Sequence, residues 1–183
     1  MILLISVCSE ELHYFEFVKP IETILNEKKI KFATRDYKKL STDEILKAEK
    51  IIICGTSLKD NEFLKHLERF DWIKRYNKPI LGICAGMQII ALKCGGRLLK
   101  KQEIGLTDVK FDEYFFGLKE KARVYCLHNN EINPASLNEF FIIGKSENCV
   151  EAVKHKTRPI YGVLFHPEVR NKEMIEKFVE EKI

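Results

Sequence analysis

The chain has 183 residues, 45% hydrophobic and 32% charged, and a formal net charge of +4 from 31 Lys and Arg against 27 Asp and Glu. The composition excludes a disordered or fibrous protein, and the length is typical of a single domain, expected here over residues 1–183. No apolar run approaches the roughly 18–20 residues of a membrane span, and the basic residues are interleaved with acidic ones. We therefore expect a cytoplasmic protein that binds neither membranes nor nucleic acid.

In the first half of the chain, short apolar runs alternate with amphipathic segments. The predicted strands are 2–7, 31–34, 51–54 and 79–83. The predicted helices are 17–28, one capped by Ser41 or Thr42 with Glu44 in a capping box, 61–76, and 85–93. Such alternation is typical of a parallel sheet covered by helices on both faces.

The second half has a different character, with short strand candidates separated by turn residues. The predicted strands are 107–111, 122–127, 140–143, 150–154 and 160–165, followed by a closing helix over 171–182. The predicted fold class is therefore α/β, with an open, mostly parallel sheet, helices on both faces and a β-rich insertion.

The six cysteines follow no C-x-x-C pattern and no zinc-ligand spacing. Several of them lie in apolar runs, where a thiol behaves as a small core residue. We expect no metal and no disulfide framework, and we expect most of these thiols to be inert. The cysteines are Cys8, Cys54, Cys84, Cys94, Cys126 and Cys149.

One cysteine is in a different context. A strand candidate runs into a helix candidate through Gly82-Ile-Cys84-Ala-Gly86. This is the setting of a G-x-nucleophile-x-G elbow, in which a sharp turn exposes the side chain and crowding requires glycines. The positive end of the helix dipole favours a thiolate at Cys84, and the N–H of Ala85 is placed to stabilise an oxyanion.

A matching base follows another predicted strand, in Gly162-Val-Leu-Phe-His166-Pro-Glu168. His166 can act as a general base, and Glu168 can orient its imidazole. The carboxyl ends of parallel strands meet at one crevice, so we expect Cys84 and His166 to meet there.

Both motifs resemble the signatures of one family. Residues 81–88 are similar to the nucleophile motif G-[IV]-C-L-G-[HM]-Q of class I (triad) glutamine amidotransferases, and residues 162–168 resemble their second signature, G-V-Q-F-H-P-E. Cysteine, histidine and glutamate also come in the same order. Within the family, residues 146–162 and the segment His128-Asn-Asn-Glu131 resemble glutaminase subunits of archaeal GMP synthase.

The resemblance implies a flavodoxin-like α/β fold and the hydrolysis of L-glutamine to glutamate and ammonia. By this resemblance Cys84 forms a γ-glutamyl thioester, His166 relays protons and Glu168 holds His166. Ammonia would pass to a separate synthetase subunit, with the ATP-pyrophosphatase subunit of GMP synthase as candidate, and no metal or cofactor is needed. The further residues implied are Ala85 and Gly55 for the oxyanion, and Gln88, His128 and Asn129 for glutamine.

The segment Ile53-Cys54-Gly55-Thr56-Ser57 departs from the family, which has S-G-G-P or a close variant here. Either Gly55 or Thr56 could supply the second oxyanion donor. Two alternatives therefore stand beside the glutaminase subunit. One is a catalytically weak or regulatory paralogue that binds a synthetase, and the other is a free-standing hydrolase of γ-glutamyl compounds or small amides.

Overall fold

The computed structural model describes residues 1–182, and one sheet of nine strands runs through this part of the chain. The strand order across the sheet is β2-β1-β3-β4-β9-β8-β7-β5-β6. The strands are β1 Ile2–Ser6, β2 Phe32–Asp36, β3 Lys50–Ile53, β4 Ile80–Ile83, β5 Leu98–Phe111, β6 Lys121–Ile132, β7 Phe140–Lys145, β8 Val150–His155 and β9 Ile160–Val163. Ile183, the last residue of the expected domain, lies outside the described residues.

Helices cover both faces of the sheet. The helices are α1 Glu11–Phe17, α2 Lys19–Glu27, α3 Thr42–Lys47, α4 Ala85–Lys93 and α5 Lys172–Glu180, with 3-10 segments at Tyr37–Lys39, Glu62–Lys74 and Pro134–Ser136. One face of the sheet packs against α2 and α5 through side chains such as Ile21 and Phe178. The other face packs against α3, α4 and the 3-10 segment Glu62–Lys74 through Ile45, Ile90 and Phe70. The predicted α/β class is confirmed. Within residues 1–182 no helix has both the length and the apolarity to cross a bilayer.

The strands β1 to β4 and β9 pair in parallel, and we call them the parallel half. The runs in β1 and β3 are continuously apolar because helices cover both of their faces. The carboxyl ends of β3, β4 and β9 point to the same edge of the sheet. The chain leaves that edge toward Gly55, Cys84 and His166, respectively.

The strands β5 to β8 form the antiparallel half, which joins the parallel half where β8 pairs with β9. Its largest unit is the β5–β6 hairpin, whose register shifts between Lys100 and Glu103. The predicted β-rich insertion is therefore a continuation of the same sheet.

Several predicted boundaries were wrong. The helix predicted over 17–28 corresponds to α2, which begins at Lys19, and Phe17 ends a separate helix, α1, that was not predicted. Pro20 in the first turn of α2 favours a helical start there. The segment predicted as a helix over 61–76 is 3-10, with non-helical angles at His66. The strands predicted over 107–111 and 122–127 are the inner parts of the longer β5 and β6. By contrast, the capping box forms as predicted, with Ser41 as the cap.

Candidate active site

Cys84 lies in the turn between β4 and α4 with φ 48° and ψ −102°. A non-glycine residue rarely adopts a positive φ, and such strain costs on the order of 1–3 kcal/mol, held by the surrounding structure. The Cys84 N–H donates to the carbonyl of Val163 at 2.7 Å, and the Gln88 N–H donates to the carbonyl of Cys84 at 3.1 Å. The turn is thus fixed to β9 on one side and to α4 on the other.

The two glycines of the motif are required by close backbone approaches. A Cβ on Gly82 would lie 2.5 Å from the carbonyl carbon of Gly86, and a Cβ on Gly86 would lie 2.1 Å from the carbonyl oxygen of Ile53. No side chain fits at either distance. The strand, the turn and the helix therefore pack at a separation that only glycine allows.

His166 and Glu168 form a buried pair at the end of β9. Nδ1 of His166 lies 2.7 Å from Oε1 of Glu168, and both side chains are fully buried. The backbone N–H of His166 donates to the carbonyl of Tyr125 at 2.8 Å, and the ring packs against Phe17. These contacts orient the imidazole, and Nε2 is left without a hydrogen-bond partner among the described residues.

The electrostatics of this pair favour the imidazolium. Burial by itself lowers the pKa of His166, but the charges of Glu168 and Cys84 outweigh burial and hold that pKa well above its usual value. A protonated imidazole beside a cysteine sulfur is a charge arrangement that would favour the thiolate.

Gly55 lies close to both Cys84 and His166. A Cβ at this position would lie 2.7 Å from Cε1 of His166 and 3.4 Å from Cβ of Cys84. The Gly55 backbone therefore lies against both side chains, as expected from their positions at the carboxyl ends of neighbouring parallel strands. Thr56 is also buried, and its hydroxyl donates to Oδ2 of Asp60 at 2.7 Å.

A small cavity of about 20 Å³ adjoins Cys84, which is the space of about one water molecule. Its walls include Ala85, Gln88 and Asn129. Nε2 of Gln88 donates to the carbonyl of Asn130 at 3.2 Å, and Nδ2 of Asn129 donates to the carbonyl of Leu58 at 2.9 Å. The cavity thus collects three of the residues that were predicted for the oxyanion and for glutamine.

A much larger groove, of about 880 Å³, lies beside this cavity. The two share Leu127 and all residues of the segment 57–61 except Lys59, which lines the groove alone. The bond from Asn129 to Leu58 holds this segment between them. The segment 57–61 is therefore the partition between the groove and Cys84.

His128 also borders the cavity, but its side chain belongs to a different environment. Burial alternates along β6, so that His128 lies on the face it shares with Cys126, opposite Leu127 and Asn129. Its Nε2 is 3.9 Å from Oε2 of Glu103. The structure thus places the His128 ring among buried polar side chains behind β6.

Two contacts of the site were missed by sequence reasoning. Sγ of Cys84 donates to the carbonyl of Leu127 at 3.7 Å, a backbone contact that leaves no trace in the sequence. Asp60 accepts from the Ser9 N–H at 2.7 Å and from Thr56. Burial opposes the charge of Asp60, but these hydrogen bonds lower its pKa below the usual value. The position of Asp60 in the loop after the parallel strand β3 is the sequence feature that could have identified it as a site residue.

The other five cysteines are wholly or largely removed from water. All six are free thiols in the described chain, and burial raises the pKa of each of the five, which keeps them protonated. The five are Cys8, Cys54, Cys94, Cys126 and Cys149.

Residues 13–183 match the family model of the class-I glutamine amidotransferases. The chain belongs to this family. The amidotransferase is 44% identical over 115 residues to a glutamine-hydrolysing GMP synthase subunit of Pyrococcus abyssi, a match over 60% of this chain and 59% of the relative. It is 37% identical over 141 residues to the protein of the same description from Picrophilus torridus, covering 73% of this chain and 74% of that one.

Solved structures agree with the fold of the amidotransferase. A crystal structure described as a GMP synthase subunit from Thermoplasma acidophilum superposes with a TM-score of 0.85 at 27% identity, over 97% of this chain and 91% of the other. A glutamine amidotransferase from Thermotoga maritima superposes with a TM-score of 0.71 at 21% identity, over 98% and 81% of the two chains. The second likeness concerns the fold alone. Both extend through the antiparallel half, because they cover nearly all of this chain.

Proposed function

We propose that this chain is a glutaminase that hydrolyses L-glutamine to glutamate and ammonia and delivers the ammonia to a separate synthetase subunit. The observation that carries the proposal is the strained Cys84 turn set against the buried His166–Glu168 pair, with Gly55 in contact range of both. The family membership and the GMP synthase descriptions of the relatives support glutamine as substrate and the ATP-pyrophosphatase subunit of GMP synthase as the partner.

In the proposed reaction the Cys84 thiolate attacks the side-chain amide carbon of glutamine. The C–N bond then breaks, and the leaving nitrogen takes a proton from the His166 imidazolium and departs as ammonia. A water molecule gives a proton to neutral His166 and attacks the γ-glutamyl thioester. Glutamate leaves, and the Cys84 sulfur is regenerated. Glu168 keeps the imidazole oriented and stabilises its charged form in both steps.

The oxyanion of each tetrahedral intermediate requires backbone donors near Cys84. We assign them to the N–H of Ala85, the first residue of α4, and to Gly55. Gly55 is favoured over Thr56 because its backbone lies against both reacting side chains, whereas the Thr56 hydroxyl is engaged by Asp60. Loss of one such donor typically costs about 10²–10³ in rate.

The glutamine pocket in this proposal is the cavity beside Cys84, with Gln88 and Asn129 in its wall and His128 bordering it. Because that cavity has the volume of about one water molecule, glutamine can enter only when the segment 57–61 moves toward the neighbouring groove. We therefore expect low activity from the chain alone and activation by the synthetase. The small volume of this cavity favours a partner-dependent glutaminase over a free-standing hydrolase.

The test is covalent labelling of the full chain with 6-diazo-5-oxo-norleucine, followed by intact-mass measurement and peptide mapping. We expect one adduct, on Cys84, that is slow to form alone, faster with the synthetase subunit and blocked by excess glutamine. Cys84→Ser should remove the adduct, and Cys8→Ser and Cys94→Ser are matched controls that should retain it. An adduct on another cysteine would overturn the nucleophile assignment. Equal rates with and without the synthetase would overturn the partner dependence.

A further inference from the structure

A cluster of four potential metal ligands lies behind β6, apart from the Cys84 thiol. Glu103, His128, Cys149 and Glu151 each offer one ligand atom, and these atoms all lie within 4.8 Å of one another. His128, Cys149 and Glu151 are buried, and the Glu103 side chain is 12% exposed. The four residues come from β5, from β6 and from the start of β8, so the cluster joins three strands.

His128 is the member that demands an explanation. Its side chain is fully buried, and neither ring nitrogen makes a hydrogen bond to any described residue. The nearest carboxylate oxygen, on Glu103, is 3.9 Å from Nε2, which is too far for a hydrogen bond. Buried polar groups are nearly always paired.

The carboxylates of the cluster have no cationic side chain beside them. No lysine or arginine of residues 1–182 forms a salt bridge with Glu103 or Glu151. The hydrogen-bond donors near them are neutral. The Ser146 hydroxyl lies 3.2 Å from Oε1 of Glu151 and 3.4 Å from Oε2 of Glu103, and Sγ of Cys126 lies 3.6 Å from Oε2 of Glu151. A buried carboxylate without a cationic side chain is neutralised either by a proton or by a metal ion.

We propose that Glu103, His128, Cys149 and Glu151 bind one divalent transition-metal ion, and that this ion is zinc. One nitrogen, one sulfur and two oxygens are the ligand types that zinc accepts in tetrahedral sites. Zinc–ligand bonds of about 2.0–2.3 Å place tetrahedral ligand atoms about 3.3–3.8 Å apart. The ligand atoms, now within 4.8 Å of one another, would therefore have to move about 1 Å closer together to reach tetrahedral separations.

The expectation of no metal rested on the absence of closely spaced ligands in the sequence. The four ligands proposed here are spread over residues 103–151. The site is structural, since four protein ligands leave no open position for a substrate. It links β6, the strand that carries Leu127 and Asn129, to its sheet neighbour β5 and to the more distant strand β8. Zinc binding should therefore stabilise the antiparallel half without taking part in glutamine hydrolysis.

The test uses the full chain with Cys84→Ser as the parent, so that the proposed nucleophile cannot bind the probe metal. After chelator treatment, the protein is titrated with Zn²⁺ against a competing chromogenic chelator, and bound zinc is counted after desalting. We expect one zinc per chain and a Tm that rises with zinc concentration, as expected for a ligand that binds only the folded state. Absence of bound zinc at stoichiometric levels would overturn the proposal.

Co²⁺ then identifies the ligands in the same protein. A thiolate ligand gives a sulfur-to-cobalt charge-transfer absorption in the near ultraviolet, and this band should be present in the parent. Cys149→Ser should abolish the band and weaken zinc binding at least about 10-fold, and Glu151→Gln should weaken zinc binding similarly. Cys126→Ser is the matched control, because Cys126 also touches Glu151 but lies outside the set of four ligands.

The comparison of Cys126→Ser with Cys149→Ser decides which of the two cysteines binds the metal. If Cys126→Ser removes the cobalt band and Cys149→Ser retains it, the proposed ligand set is wrong. Equal zinc affinity in the parent, Cys149→Ser and Glu151→Gln would also overturn it. Circular dichroism of each metal-free variant checks that it folds, and the cobalt spectrum of the parent tests for thiolate ligation even if a variant does not.

Discussion

The two halves of the sheet hold polar groups in place by different means. In the parallel half, Cys84 and His166 are positioned by backbone approaches so close that Gly55, Gly82 and Gly86 admit no side chain. In the antiparallel half, His128 and its neighbours are brought together by side chains from three strands across an irregular hairpin. A site held by close backbone contacts is therefore visible in the sequence through its glycines, whereas a site formed by side chains of distant strands has no local motif.

The strongest test of this comparison is Gly86→Ala in the parallel half. The added Cβ would lie 2.1 Å from the carbonyl oxygen of Ile53, so β3 or α4 must shift, and we expect a loss of more than about 3 kcal/mol in the free energy of unfolding. Gly95→Ala is the control, because Gly95 has a positive φ but open space around it. It should lose about 1–2 kcal/mol. Urea unfolding measures both, and equal losses would contradict the close-approach argument.

An intermediate loss in the free energy of unfolding is expected for Glu168→Gln. The folded-state pKa of His166 is raised, so the stability from the imidazolium–carboxylate pair is fully present below the unfolded pKa of about 6.5 and is lost as pH rises through the folded pKa. The variant should therefore be less stable than the parent by about 1–3 kcal/mol at pH 6, with a gap that shrinks toward alkaline pH.

Urea unfolding of both proteins between pH 6 and pH 9 measures this gap. Glu113→Gln is the matched control, because Glu113 pairs with Lys154 at 3.0 Å on the surface, where both side chains are largely exposed. It should show no comparable pH-dependent gap. A gap for Glu168→Gln that widened with rising pH would contradict the assignment of the charged form to His166.

The smallest effect on stability is expected from the exposed ion pair between Arg123 and Asp108 in the antiparallel half. Arg123 donates to both carboxylate oxygens of Asp108, at 2.7 and 3.0 Å, but the side chains are 57% and 72% exposed. Water and salt screen such a pair, so Asp108→Asn should leave the urea midpoint unchanged within error. A clear loss of stability would mean that surface pairs contribute to holding this hairpin.

Sequence patterns were sufficient to predict the α/β class, the strand-to-helix turn at Cys84 and the family. These follow from local patterns, because apolar runs, hydrophobic spacing and glycines beside a nucleophile depend on neighbours in the chain. The same local logic predicted the Ser41–Glu44 capping box. It did not predict the split between α1 and α2 or the 3-10 geometry of Glu62–Lys74, which tertiary packing imposes on otherwise amphipathic segments.

The surroundings of the two motifs could not be predicted, because they depend on the tertiary structure. The carbonyl of Leu127 at the Cys84 thiol, the partition formed by residues 57–61 and the gathering of Glu103, His128, Cys149 and Glu151 all depend on strand order and register. The physical reason is the two-residue alternation of a strand. It places His128 and Asn129 on opposite faces of β6, and which buried group each one meets is set by strands that are distant in sequence.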